Sequence, residues 1–459
     1  MKMTSMDTGV SIASTGAGSA KQVTFASATA AVIGESIAVG IFLTPAGMAK
    51  ALGSPFWLLL VWITVGMLTV SGALCYGELA ARFPQDGGIY VYLFNTCGRG
   101  IAFLYGWMCL LVLDPGLTAA LAVGLASYAA YLLPSSLIGI KFGAISVIWA
   151  LCILNMLSVP LSAGFLRWST WLKLALLGFL VAWAVAFHQG SWSNLAPFIA
   201  QRPGSLPLGQ ALGAAMVGAF FSFGGWWDVS KLAGEIQNPG RTLPRAMLMG
   251  VLVVTAIYIL VSAVFMYQVP LTNVTSDETF VAQAGTLMFG HTGGAVFAAI
   301  VVVCVFSSLA AFMISAPRVY YAMAKDGLFL RGVAQIHPRF HTPANAILIQ
   351  ALIASVLVAL GSFQQIIAYF IFIAVVFLAL TGFGLFIARS SGKGANATFS
   401  TPAYPLPLLI FLTLMAVLLV LLALHNPKAA MLGTAVVLAG VPVYAIFQYR
   451  NGRVLSRQS

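Results

Sequence analysis

Apolar runs of about 20 residues, the length an α-helix needs to cross a bilayer core, recur along the chain with short polar breaks between them. The pattern predicts twelve helical spans, at roughly 25–49, 56–80, 90–124, 142–159, 168–188, 208–232, 245–268, 293–324, 343–361, 364–388, 404–424 and 429–448. The longest breaks, near 189–207, 269–292 and 389–403, leave no room for a soluble domain. Residues 1–23, rich in Ser, Ala, Thr and Gly, read as a disordered tail, and 449–459 as a second tail; no secretory signal is evident.

Two spans break their own pattern. The first carries Gly34-Glu35-Ser36-Ile37-Ala38-Val39-Gly40-Ile41-Phe42, and the sixth carries Phe221-Ser222-Phe223-Gly224-Gly225-Trp226-Trp227-Asp228. A carboxylate at the bilayer centre costs roughly 2.5–3.5 kcal/mol on insertion scales. Broken backbone is tolerated there only where protein or a water-filled cavity satisfies it. Interruptions in corresponding spans of two halves point to an inverted repeat with a binding site at the repeat interface. That division gives a first repeat at 24–188, a second at 208–388 and two further spans within 404–448.

Composition agrees. Hydrophobic residues make up 61% of the 459 and charged residues 7%, with mean hydropathy +0.99, against about 25% charged in a soluble domain. The net charge of +12 suggests nucleic acid until its distribution is read. With the N-terminus inside, outer segments hold only Lys50, Lys141, Arg202 and Lys428, and Lys173 is left inside a span. The other Lys and Arg, Lys231 among them, fall to the inner side, as the positive-inside rule requires for both termini cytoplasmic. The five cysteines show neither metal-ligand spacing nor a disulfide pattern and read as packing residues.

If the helices break at Ala38-Val39-Gly40 and Phe223-Gly224-Gly225, the outer half-helices present free N–H groups and positive dipole ends that suit a carboxylate. Opposed carbonyls suit an ammonium, so a zwitterionic amino acid is a natural ligand; the alternative is glycine for close helix packing. Glu35 can accept the ammonium, carry a proton, or be a protonated structural group. Lys173 in the fifth span can stand in for a sodium ion or send its ammonium to the interface. Asp114, before Pro115 in the third span, marks a kink that either lines the cavity or is structural. Asp228 and Lys231, three apart, can simply pair. Phe223 and Trp226 flank the sixth-span break as candidate gates. Ser307 and Ser308 sit at membrane depth in the eighth span, where serines often bond their own helix. No nucleophile–base or metal cluster and no phosphate-binding glycine loop with lysine is visible, so no enzyme, cofactor or ATP-driven engine is expected; a gradient or exchange must supply the energy.

Four stretches, in order and spacing, resemble the amino acid–polyamine–organocation superfamily of permeases over nearly the whole chain. They are Gly40-Ile41-Phe42; Gly77-Glu78-Leu79-Ala80-Ala81-Arg82-Phe83-Pro84 with Gly87-Gly88, Tyr90 and Tyr92; Gly225-Trp226 with Glu235, Asn238-Pro239, Arg241 and Pro244; and Arg318-Val319-Tyr320-Tyr321-Ala322-Met323-Ala324-Lys325-Asp326-Gly327. The resemblance implies an all-α membrane protein of twelve helices, with a five-plus-five inverted-repeat (leucine-transporter-like) fold and discontinuous helices 1 and 6. It implies alternating access in the inner membrane, with the substrate held by backbone at 38–40 and 223–225 and by Glu35. It aligns Lys173 with a fifth-span lysine that occupies a sodium position in bacterial and L-type relatives, with Ser308 its best partner, and so implies sodium-independent proton symport or exchange. The usual first-span Gly-Ser-Gly is Ala38-Val39-Gly40 here, without the serine hydroxyl. Polyamines or other organic cations, drawn by Glu35, Asp114 and Asp228, are the alternative cargo, and a non-transporting nutrient sensor the alternative class.

Overall fold

In the computed structural model, residues 23–38, 40–133, 136–157, 160–186, 190–268, 280–335, 337, 342–361, 363–425 and 427–455 are described. They form α1 (Phe25–Ser36), α2 (Gly40–Leu52), α3 (Pro55–Arg82), α4 (Ile89–Thr96), α5 (Arg99–Met108), α6 (Asp114–Leu132), α7 (Leu137–Leu157), α8 (Pro160–Ala186), α9 (Leu208–Phe223), α10 (Pro239–Gln268), α11 (Phe280–Ser315), α12 (Pro317–Lys325), α13 (Ala344–Leu360), α14 (Phe363–Ser390), α15 (Leu406–His425) and α16 (Pro427–Leu455). The β-pairing among the described residues is one isolated bridge, Val23 to Ile236.

Nine helical segments among the described residues are long and apolar enough to cross a membrane. The pair α1 and α2 reaches that length together across a 41° bend, and two shorter apolar helices are Trp168–Trp183 and Ala344–Leu360. Burial orders them. The apolar stretch of Arg99–Leu132 is 83% buried, whereas those of Leu137–Leu157 and Ala430–Tyr449 are 22% and 17% buried. The third span is therefore the centre of the bundle, and the latter two present leucine, isoleucine and valine outward, as lipid contact demands.

The third span corrects the sequence expectation. Residues 89–96 form the separate helix α4, because Gly98 at φ +90° turns the chain before α5 begins at Arg99. Apolar α4 simply merges with the next run in a hydropathy reading. The predicted kink is present as a π-helical turn, Cys109–Leu113, in which the Asp114 N–H donates to the Cys109 carbonyl. The wider turn takes up the hydrogen bond that Pro115 cannot make.

Glu78 anchors the C-terminal end of α3. Its buried carboxylate accepts from Arg82 Nε at 2.9 Å, Arg389 Nη2 at 2.6 Å and the Thr401 N–H at 2.8 Å. The Arg389 guanidinium also stacks over the Tyr404 ring at 3.8 Å. One side chain thus ties α3, α14 and the approach to α15. Glu78→Ala is expected to cost roughly 3 kcal/mol, because two arginines lose their shared carboxylate. A clear drop in the detergent melting temperature is the expected readout; an unchanged melt would contradict the role.

Candidate substrate site between two broken helices

The first break follows from local backbone. α1 stops at Ser36; Ile37 leaves helical geometry at ψ 69°, and the Ala38 N–H turns back to the Ser36 carbonyl at 2.8 Å. Val39 lies outside the described residues, and α2 restarts at Gly40. In the sixth span α9 stops at Phe223, Gly224 is extended and Gly225 takes φ +100°. A tight 3-10 segment, Asp228–Glu235, then completes the span.

The two breaks touch. A Cβ on Gly40 would collide with Ser222, and one on Gly225 would lie 2.9 Å from the Glu35 carbonyl carbon and oxygen. Glycine at both positions lets backbone meet backbone. Thr44 Oγ1 and Ser222 Oγ lie 2.7 Å apart, and the Tyr258 hydroxyl lies 2.7 Å from the Ser36 carbonyl and 2.8 Å from the Ser222 carbonyl. Tyr258 has one proton to donate and bridges the break carbonyls of both spans. A tyrosine inside an apolar run carries no sequence signal of this role.

The polarity of the breaks needs one correction. The sequence alone suggests free N–H groups on both outer half-helices. Spans one and six run in opposite directions, and α2 packs alongside α9. On that side α2 presents its N-terminus to the break, but α9 presents its C-terminal carbonyls. By its dipole the start of α2 at Gly40 suits negative charge, and the carbonyl ends suit positive charge.

Lys173 comes to the first break from α8. Its Nζ donates to the Gly34 carbonyl at 2.7 Å and to Ser308 Oγ at 2.5 Å, while the Ser308 hydroxyl donates to the Gly34 carbonyl at 2.9 Å. Lys173 is 1% exposed, so its ammonium does not reach an interface. Ser307 bonds its own helix through the Cys304 carbonyl at 2.9 Å.

A small cavity, about 20 Å³, lies between the breaks. That is room for about one water. Its wall is Glu35, Ala38, Gly40, Leu117, Leu121, Phe221, Gly224, Gly225, Ser308 and Phe312. Glu35 is 8% exposed, and its Oε2 makes no hydrogen bond. Phe223 and Trp226 do not line this cavity. Phe223 packs on Trp62 and Tyr258, at 6.0 and 5.1 Å between ring centroids, and Trp226 on Tyr76 and Trp227, at 5.0 and 5.4 Å. The wall aromatics are Phe221 and Phe312. Phe312 stands one helical turn beyond Ser308 on the same face, a spacing from which it was findable.

Asp114 lies apart from Lys173. Its Oδ2 accepts from the Tyr320 hydroxyl at 2.8 Å, and its Oδ1 lies 3.5 Å from Lys231 Nζ. Lys231 also approaches Asp228 Oδ1 at 2.7 Å, so the expected pair forms. The placement of Lys231 among the inner surface charges is corrected: it is 1% exposed, drawn inward by two buried carboxyls.

With this geometry in hand, comparison with known proteins is specific. Residues 23–447 match the family model described as amino acid permease, and the chain belongs to that family. It is 30% identical over 428 residues to the serine/threonine exchanger SteT of Bacillus subtilis (strain 168), covering 92% of this chain and 96% of that one. The human cystine/glutamate transporter is 26% identical over 440 residues, 93% and 85% of the two chains. The human large neutral amino acids transporter small subunit 2 is 27% identical over 448 residues, 94% and 81%. The protein is thus a multi-pass membrane protein of a transporter family.

Gly225→Ala tests the contact of the breaks directly. The added methyl meets Glu35 backbone and requires a left-handed conformation alanine resists, by roughly 1 kcal/mol or more. Loss of substrate binding in protein that still elutes as a single species is expected; full binding would contradict a close approach at this site.

Proposed function

We propose that this protein carries amino acids across the membrane by alternating access, without sodium, by exchange or with protons. Nine spanning helices, one bent pair and two shorter apolar helices together support the twelve-span reading, with repeats at 24–188 and 208–388. The inner-side excess of Lys and Arg supports cytoplasmic termini, and the plasma (inner) membrane is the location this reading takes. The relatives' names concern amino acids of several classes, which supports amino acids as the cargo.

The observation that carries the sodium-independent reading is Lys173. Its ammonium is bonded to a first-break carbonyl and an eighth-span hydroxyl, the hard oxygen ligands a cation would take. An ammonium there supplies that positive charge without sodium, and its links join the repeats that must move together. Ala38 and Gly40 at the first break, with Val39 between them, and Phe223, Gly224 and Gly225 at the sixth, supply backbone for the substrate. Glu35, with a free oxygen at the cavity, takes its ammonium. Phe223 and Trp226 act as gates only in a more open state, since both rings are committed to packing here. The present cavity holds no more than a water, so binding requires opening.

The direct test is counterflow of each labelled amino acid into sodium-free liposomes preloaded with unlabelled amino acids. Accumulation of a subset supports the reading; no accumulation by folded protein moves polyamines or a sensor role to the front. Lys173→Ala is expected to abolish counterflow while the protein still purifies folded, and full activity in it would remove the sodium-substitute role. Glu35→Gln is expected to change the pH profile of transport or the preferred substrate charge; an unchanged profile on both would leave Glu35 structural.

A further inference from the structure

Beneath the cavity lies a second group of ionisable side chains that substrate binding does not use. Asp114 stands at the start of α6, and Asp228 and Lys231 on the inner segment of the sixth span; their exposures are 0%, 1% and 1%. Lys231 Nζ lies 2.7 Å from Asp228 Oδ1 and 3.5 Å from Asp114 Oδ1. Lys231 thus lies between the two aspartates, in contact with Asp228 and farther from Asp114. The Tyr320 hydroxyl from α12 donates to Asp114 Oδ2 at 2.8 Å. The other titratable groups facing the cluster are Tyr105 and Cys109 from the third span and Glu35 from the first. Among the described residues, Lys231 is the base that faces both aspartates.

Charge balance sets what this group can do. One ammonium neutralises one carboxylate, and a second ionised carboxylate in the same dry interior is strongly disfavoured. The closed arrangement is therefore balanced when the two carboxyls share one proton. Contacts that include Lys231 itself hold the segment that the charge bias places at the inner side, and these would close an inner exit. The Gly87 N–H donates to the Lys231 carbonyl at 3.3 Å, the Gly234 N–H to Asp86 Oδ1 at 2.6 Å, and Arg318 Nη1 meets Glu235 Oε1 at 2.7 Å. Separating these admits water at Lys231 and parts it from Asp114, which sits on a different helix. Once wet, both aspartates ionise: a carboxyl O–H gives its proton to water and leaves a carboxylate.

We propose that Asp114, Asp228 and Lys231 form a proton site distinct from the substrate cavity, filled while the inner exit is closed and emptied as it opens, so that one proton accompanies the amino acid inward. Glu35 lines the cavity and faces Asp228 and Lys231, and passes the proton from one to the other. Phe312 separates cavity from cluster, its ring centroid 5.3 Å from Lys231 Nζ. The inference rests on the transporter reading above.

The test uses full-length protein in sodium-free liposomes, with the membrane potential clamped at zero by potassium and valinomycin. A labelled amino acid that gives counterflow is offered with the outside one pH unit more acidic than the inside. One proton per cycle raises the steady accumulation ratio about tenfold, since each pH unit is a factor of ten. Asp228→Asn and Asp114→Asn are each expected to keep counterflow and to accumulate no more with the gradient than without it; either variant suffices if the other does not fold. Wild-type counterflow that ignores the gradient would overturn the proton site and leave the transporter standing, as would a tenfold response that survives in the asparagine variants. Absence of wild-type counterflow would instead remove the transporter reading and this site with it.

Discussion

Unwound backbone at membrane depth is the constraint on which the rest of the structure depends. Every exposed N–H and carbonyl there needs a partner that lipid cannot provide. The partners found are few and specific. Lys173 and Ser308 take the Gly34 carbonyl, Tyr258 takes the carbonyls of Ser36 and Ser222, and Thr44 meets Ser222. These groups come from the fifth, eighth and seventh spans, and from the first onto the sixth. Satisfying the breaks therefore fixes the packing order around the centre. Glu35 Oε2, at the wall of the cavity between the breaks, is left without a hydrogen bond.

The two buried lysines solve the same electrostatic problem differently. Lys173 bonds to a carbonyl and a hydroxyl and to no carboxylate. Lys231 sits between two aspartates that outnumber it. The first arrangement sets a lysine nitrogen among neutral oxygen acceptors. The second has an excess carboxyl whose state depends on whether water can reach it. Both sit within the same bundle, one bonded to Ser308 of the cavity wall and the other behind Phe312.

Much of this was legible in the sequence, for identifiable reasons. Glycine and a carboxylate interrupting apolar runs gave away both breaks, because nothing else in a lipid-facing helix calls for Glu35 or Gly224-Gly225. Asp228 and Lys231 were legible as a pair from helical spacing. Lys173 and Ser308 were linked only by family resemblance, since residues 135 apart have no local pattern to connect them. The misread features share a cause: hydropathy sees neither chain direction nor partners. Apolar α4 merged with α5 across Gly98, Lys231 counted as a surface charge because Asp114 was far away in sequence, and the antiparallel course of the sixth span reversed the polarity assigned to α9. Tyr258 left no trace, because one hydroxyl on an aromatic ring does not disturb an apolar pattern, and Tyr320 stood out only as part of a family stretch.

The central claim is that paired breaks recognise both charged ends of an amino acid, carboxylate at α2 and ammonium at Glu35. The measurement that tests it most directly is competition. A transported amino acid, its methyl ester and its decarboxylated amine would each be added against labelled substrate in sodium-free liposomes. The account predicts that the intact zwitterion competes and that both derivatives fail, one lacking the free carboxylate and the other lacking the group entirely. Equal competition by the amine would contradict it and assign the site to organic cations.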